Sequence, residues 1–218
     1  MKRQYDGYAT VPFAPVRRLI VDVLEMGHRK HMIHGLAEAD VTRARQYIRE
    51  YEATTGKDLS FTAFIVACLG KAVDRNKYMH AYRSGRNQLV LFDEVDVNTQ
   101  IEIEMDGRKV PIPHNIRAAN KRTVLDIHQE IRRVQAEGEK SESAPTSRGE
   151  KLFAALPTFV RRPMMRMIFK DPHRAKENAG TVLLTAVGMF GEGGGWGIPL
   201  IMHTLGVTLG GIAEKPVV

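Results

Sequence analysis

Val95-Asp96-Val97-Asn98-Thr99-Gln100-Ile101-Glu102-Ile103-Glu104-Met105 alternates apolar and polar side chains along its whole length, with Glu94 in the same phase ahead of it. Successive side chains of an extended backbone point to opposite faces, so this period of two predicts a long strand with one face in a core and one in water. Asp106-Gly107 supplies the residues of a tight turn, and a second strand is expected near Lys109 to Ile112. A hairpin of this length needs a partner layer for its apolar face, and the flanking sequence provides one.

Upstream, Val16, Leu19, Ile20, Val23 and Leu24 recur at helical spacing behind Pro15, which predicts a helix over about 15–28 with one buried face. His31 to Asp40 reads as a short strand, and a second helix follows at roughly 41–54 and stops at Gly56. Ser60 is placed to cap a third helix, in which Phe61, Phe64, Ile65, Val66, Cys68, Leu69, Ala72 and Val73 leave little polar surface, so a central, buried helix is expected. Downstream, Thr123 can cap a helix carrying Val124, Ile127, Ile131 and Val134 on one face. Glu137 to Arg148 is rich in Glu, Ser, Lys and Gly and reads as a mobile surface loop. Leu152 to Phe169 is basic and apolar together, with Pro157 and Pro163 as interruptions, and packing against a partner subunit is preferred to a membrane-surface helix. Thr181 to Thr185 and Leu205 to Ile212 are expected as two short strands around a Gly-rich connection.

A chain of 218 residues with 43% hydrophobic content can bury one substantial core, and one α/β domain over 1–218 is expected. Lys and Arg number 32 against 25 Asp and Glu, but they are dispersed, with no cationic tail and no zinc-finger spacing; no nucleic-acid partner is expected. A mildly basic surface suits an anionic small substrate. The single cysteine, Cys68, lies in an apolar run where it would act as a small hydrophobe, and it cannot form an internal disulfide. With no leader and no apolar stretch of about 18 residues, the sequence is expected in the cytoplasm and not in a membrane.

The chemistry-bearing patterns exclude more than they name. Gly191 to Gly197 could cradle an anion with successive N–H groups, but without a following Lys-Ser/Thr it reads as a flexible turn. His28, His31 and His34 recur every third residue at a helix-to-strand junction with no supporting ligand, and no metal is expected. No Gly-x-Ser-x-Gly elbow marks a hydrolase. The most suggestive context is Thr185, a hydroxyl at the end of an apolar strand, which could donate to a developing oxyanion.

Several segments, in order, resemble the catalytic core of the dihydrolipoyl acyltransferases of 2-oxo acid dehydrogenase complexes, within the chloramphenicol acetyltransferase-like fold. Val16-Arg17-Arg18-Leu19-Ile20 is similar to the family's opening "MRKAIA", and His34 to Thr42 (HGLAEADVT) to "PHFTLTDEVDVT". Gly56 to Ala72 (GKDLSFTAFIVACLGKA) resembles "GVKLTYLPFIVKALAAA", and Ala118 to Arg132 resembles "NADKKSLLELAEEIR". Gly180 to Gly191 (GTVLLTAVGMFG) is similar to "GTFTISNLGMFG", and Leu205 to Val218 to "AILGVGAIRKRPVV". Only 138–178 has no counterpart.

The resemblance implies a mixed sheet covered by helices (α+β), and a homotrimer or higher homo-oligomer with active sites between subunits. Transfer of an acyl group between coenzyme A and a dihydrolipoyl thiol is implied, with the lipoyl group on a separate protein, with lipoyl-bearing and dehydrogenase components as partners and with no metal. Thr185 falls on the family's oxyanion-stabilising hydroxyl. The family's general base stands in His-x-x-x-Asp-Gly, which occurs nowhere among the 218 residues. The expectation is therefore a core without its usual base, with neither lipoyl domain nor Ala/Pro linker: a truncated acyltransferase, or a non-catalytic homologue retained for assembly. His34 is the nearest stand-in for the base.

Overall fold

The computed structural model describes residues 10, 13, 15–105, 108–138, 141, 148–187 and 195–214. The alternating stretch forms β3 (Val97–Met105), which pairs antiparallel with β4 (Arg108–Ile116) from Val97 opposite Ile116 to Met105 opposite Arg108. The far edge of β3 pairs parallel with β5 (Val182–Ala186), which pairs parallel with β6 (Leu205–Leu209), giving a mixed four-stranded order β4-β3-β5-β6. Val97, Ile101, Ile103, Ile112, Ile116, Val182 and Leu184 bury one face of this sheet. Thr99 shares that inward face and is also buried.

Two helices cover it. α3 (Phe61–Arg75) is capped by Ser60, whose hydroxyl accepts from Ala63 N, and it buries Ala63, Val66, Ala67 and Val73. α4 (Val124–Glu137) starts on a capping box in which Thr123 and Asp126 satisfy each other's backbone N–H, and it buries Ile127, Ile131 and Val134. At Gly70 a Cβ would come within 2.8 Å of Ala119 C and Asn120 N, so α3 can lie directly on the turn of Ala119–Lys121 only because nothing projects there. Outside this core, α1 (Pro15–His28) and α2 (Thr42–Thr55) precede α3. A small antiparallel hairpin, β1 (Tyr82–Ser84) with β2 (Gln88–Val90), follows it. α5 (Arg148–Ala155), α6 (Thr158–Lys170) and α7 (Pro172–Ala179) lead into β5.

Several expectations are corrected. Residues 31–40 form no strand; they lie at the surface without a ladder partner, Ile33 being fully exposed, and an isolated extended segment gains no hydrogen bonds from being a strand. α3 is buried on one side only, so Cys68 is exposed, because the sheet and α4 cover one face and none of the described residues buries Cys68 on the other. The helical face of α1 is likewise half covered: Ile20 and Leu24 are exposed, and the residue it buries most deeply is Asp22. That carboxylate takes Arg161 and, at 2.8 Å, Arg162 of α6, and Arg161 also donates to Leu156 O at 2.7 Å. Burial would raise the pKa of Asp22, and the two guanidiniums override it and hold the carboxyl below the usual range. Pro157 separates α5 from α6 as expected, whereas α6 runs on through Pro163, forgoing the one backbone bond a proline cannot donate. The turn at Asp106-Gly107, most of Glu137 to Arg148, and Gly191 to Gly194 lie outside the described residues.

Candidate functional site

The site follows from how β5 is fastened to β3. Asp96, expected on the solvated face, is fully buried one residue before β3. Its backbone O accepts from Thr181 N at 2.8 Å and Val182 N at 3.1 Å, and its carboxylate accepts from Ala118 N at 2.9 Å, Arg117 at 2.9 Å and Lys176 at 2.8 Å. Burial alone would favour the protonated acid; these three donors reverse that and keep Asp96 ionised below the usual carboxylate range. Arg117 also donates to Lys176 O and Glu177 O, closing the carbonyl end of α7 with a cation where the helix dipole favours one. Gly180 makes the close approach possible: its φ is +74°, and a Cβ would sit 2.9 Å from Asp96 O. His80, fully buried, adds a contact from its Nδ1 to Thr181 Oγ1 at 2.9 Å.

This lock fixes the register of β5, and register decides what faces where. Val182 and Leu184 point into the core, so Leu183 and Thr185 point to the opposite face of the sheet. Thr185 is half-buried there, in register with Thr208 of β6, and its hydroxyl has no hydrogen-bond partner among the described residues. Thr208 Oγ1 is buried and also lacks a partner among the described residues. Over this face runs the irregular segment 195–204: a Cβ on Gly197 would meet Thr208 Cγ2 at 2.6 Å, and one on Gly206 would meet Ile201 Cδ1 at 2.7 Å. Two adjacent hydroxyls with their donor capacity unused, on rigid strands beneath a close-fitting segment, can serve oxygen that gains negative charge. Thr185 stands out in the sequence as a hydroxyl closing an apolar strand, whereas the one sequence signal of Thr208 is that it is a polar residue inside the apolar run Leu205-Gly206-Val207-Thr208-Leu209. The role of Asp96 was hidden by the alternation that made it read as a surface residue.

The histidines lie elsewhere. His34 is exposed on the irregular stretch 31–40. His203 is buried with Nε2 donating to Ala179 O at 2.7 Å, and burial lowers its pKa, so the ring is neutral near pH 7 and tied to the backbone.

Residues 5–153 match the model of the 2-oxoacid dehydrogenases acyltransferase (catalytic domain) family. The chain belongs to that family. It is an acyltransferase catalytic domain of the kind found in 2-oxoacid dehydrogenase complexes. Its fold is also that of solved acyltransferase cores. A probable dihydrolipoamide acetyltransferase from Listeria monocytogenes superposes with a TM-score of 0.65 at 17% identity, over 98% of this chain and 79% of its own. The truncated catalytic core of the 2-oxoacid dehydrogenase multienzyme complex from Thermoplasma acidophilum gives 0.64 at 16%, over 95% and 82%. The cubic core of a pyruvate dehydrogenase multienzyme complex gives 0.64 at 12%, over 98% and 76%. No curated protein matches the chain at a significant level. The family match ends before Thr185, whereas the fold likeness extends over nearly the whole acyltransferase core described here. No helix among the described residues is long and apolar enough to cross a membrane.

Proposed function

We propose that this acyltransferase core moves an acyl group between coenzyme A and a dihydrolipoyl thiol carried by a separate protein, with Thr185 stabilising the oxyanion of the tetrahedral intermediate. The observation that carries this reading is the position of Thr185: half-buried on the non-core face of β5, hydroxyl unengaged among the described residues, held in register by the lock at Asp96. A hydroxyl so placed gains most when charge appears on the carbonyl oxygen, so it lowers the barrier without tightening substrate binding equally. The core acts as a homotrimer or larger homo-oligomer in the cytoplasm, alongside lipoyl-bearing and dehydrogenase components.

Taking the proton from the attacking thiol needs a base, and none of the eight histidines stands in His-x-x-x-Asp-Gly. A second reading of these 218 residues is a non-catalytic homologue kept for assembly. The two are separated by measuring acyl transfer from acetyl-coenzyme A to dihydrolipoamide on the 218-residue chain, with and without added imidazole. Loss of a general base slows transfer by about 10² to 10⁴. Slow transfer that imidazole accelerates, and that Thr185→Ala abolishes, is the result expected of the acyltransferase. No transfer above the uncatalysed rate under either condition would leave the assembly role.

A further inference from the structure

A cleft of about 360 Å³ lies between α1 and the turn that joins α5 to α6. Its floor is the buried cluster in which Arg161 and Arg162 share the single carboxylate of Asp22. Both oxygens of that carboxylate are engaged, Oδ2 by Arg161 Nε and Oδ1 by Arg162 Nε. The guanidiniums keep donors to spare. Arg161, whose side chain is only 3% exposed, directs Nη1 to Ala154 O at 3.1 Å and Leu156 O at 2.7 Å, and its Nη2 has no acceptor among the described residues. The two terminal nitrogens of Arg162 have none among them either. Arg18 lines the same cleft without an ion-pair or hydrogen-bond partner among the described residues. Glu25 is the other acid near Arg162, and its carboxylate is bound by Arg29. Three guanidiniums thus meet one carboxylate across one concavity, and an anion that fills their unused donors relieves the excess of positive charge.

The start of α6 adds to the same field. Pro157 stands at its N-cap with no side-chain hydrogen bond, so the first N–H groups of the helix are left at the edge of a cleft that Pro157 and Thr158 line. Phe13, Val21 and Leu156 give the remaining walls a hydrocarbon surface. What fits is one negative charge on an apolar body: a planar carboxylate matches the paired N–H groups of a guanidinium, and the hydrophobic walls hold its chain or ring. Asp22 on the floor disfavours more highly charged anions, because its own charge repels each further negative charge. None of the lining residues belongs to β5, β6 or the segment 195–204, so the cleft is separate from the hydroxyl pair of Thr185 and Thr208.

We propose that this cleft binds a small organic carboxylate, a free monocarboxylic acid with an apolar body, held at its charge by Arg18, Arg161 and Arg162 and along its body by Phe13 and Leu156. The site is independent of the transfer reading: a chain that transfers nothing retains it.

The test is calorimetric titration of the 218-residue chain with sodium hexanoate. Saturable binding is expected, with hexanamide, which has the same shape and no charge, at least about tenfold weaker. Arg18→Glu reverses an exposed, unpaired charge and should weaken hexanoate at least about tenfold. Thr158→Glu puts a carboxylate in the first turn of α6, where the helix dipole favours it, so the helix is retained while the anion is repelled and the same loss is expected. Hexanoate binding should also weaken between low and high NaCl. The proposal is overturned by an absence of saturable hexanoate binding at millimolar concentration, by hexanamide binding as tightly, or by well-folded Arg18→Glu and Thr158→Glu chains that bind hexanoate as the unaltered chain does.

Discussion

Asp96 and the pair Thr185 and Thr208 show how much a single side chain decides here. Asp96→Asn removes the charge that Arg117 and Lys176 compensate and leaves two cations facing a neutral amide, so we expect a loss of about 3 kcal/mol in urea unfolding. Its ionised form is favoured in the folded state, and an unfolded aspartate titrates near about 3.9. As the pH falls through that value, the unfolded chain takes up the proton first. The stabilisation is therefore whole above about pH 5 and is lost as the pH falls through the lower folded value, which a urea series between pH 6 and pH 3 would follow. Thr208 should behave in the opposite way. A buried hydroxyl without a partner costs about 1–3 kcal/mol, so Thr208→Val should raise the urea midpoint while lowering any transfer that depends on the hydroxyl pair. A fall in stability would mean the hydroxyl is satisfied.

Among the elements, α3 and α6 mark the two ways a helix is used. α3 approaches the Ala119–Lys121 turn so closely at Gly70 that Gly70→Ala should cost about 1–3 kcal/mol, a backbone clash that no rotamer change relieves. α6 is anchored by the buried grip of Arg161 on Asp22 and turns Phe159, Met164 and Met167 outward. Phe159 is 78% exposed, so Phe159→Ser should leave the unfolding free energy of the protomer within about 0.5 kcal/mol. If α6 packs against another subunit, the same substitution should weaken self-association measured by sedimentation. Residues 15–28, 61–75 and 124–137 were legible as helices because periodicity and caps are local; the short helix α7 was not, since Pro172 to Ala179 has few apolar residues and is held by Arg117 and Asn115.

At the scale of the whole molecule, the protomer leaves apolar side chains of α1, α6 and the stretch 31–40 in water, with Ile20, Leu24, Ile33, Leu36, Phe159 and Met167 all exposed. A surface of that extent is ordinarily covered. We expect sedimentation at micromolar concentration to give a species heavier than the 24.5 kDa protomer, and a strictly monomeric profile would remove the homo-oligomeric reading. The same exposure accounts for the failed strand at His31 to Asp40. Its sequence resembles a strand of the family, but among the described residues of the protomer it pairs with no strand edge.

What the sequence by itself determined was everything carried by neighbours along the chain. The alternation around Ile101, the caps at Ser60 and Thr123, and the short apolar strand expected over Thr181 to Thr185 each depend on a few consecutive residues, and each stands in the structure within a residue of where the local pattern puts it, the strand spanning Val182–Ala186. Tertiary structure alone decided which faces are covered. Asp96 and Cys68 exchanged their expected places because burial depends on what arrives from distant segments: Lys176 and Arg117 came to the aspartate, and none of the described segments buries the thiol. The pairing of Thr185 with Thr208 and the convergence of Arg18 with Arg161 and Arg162 are of the same kind, set by sheet register and helix packing between residues far apart in the chain.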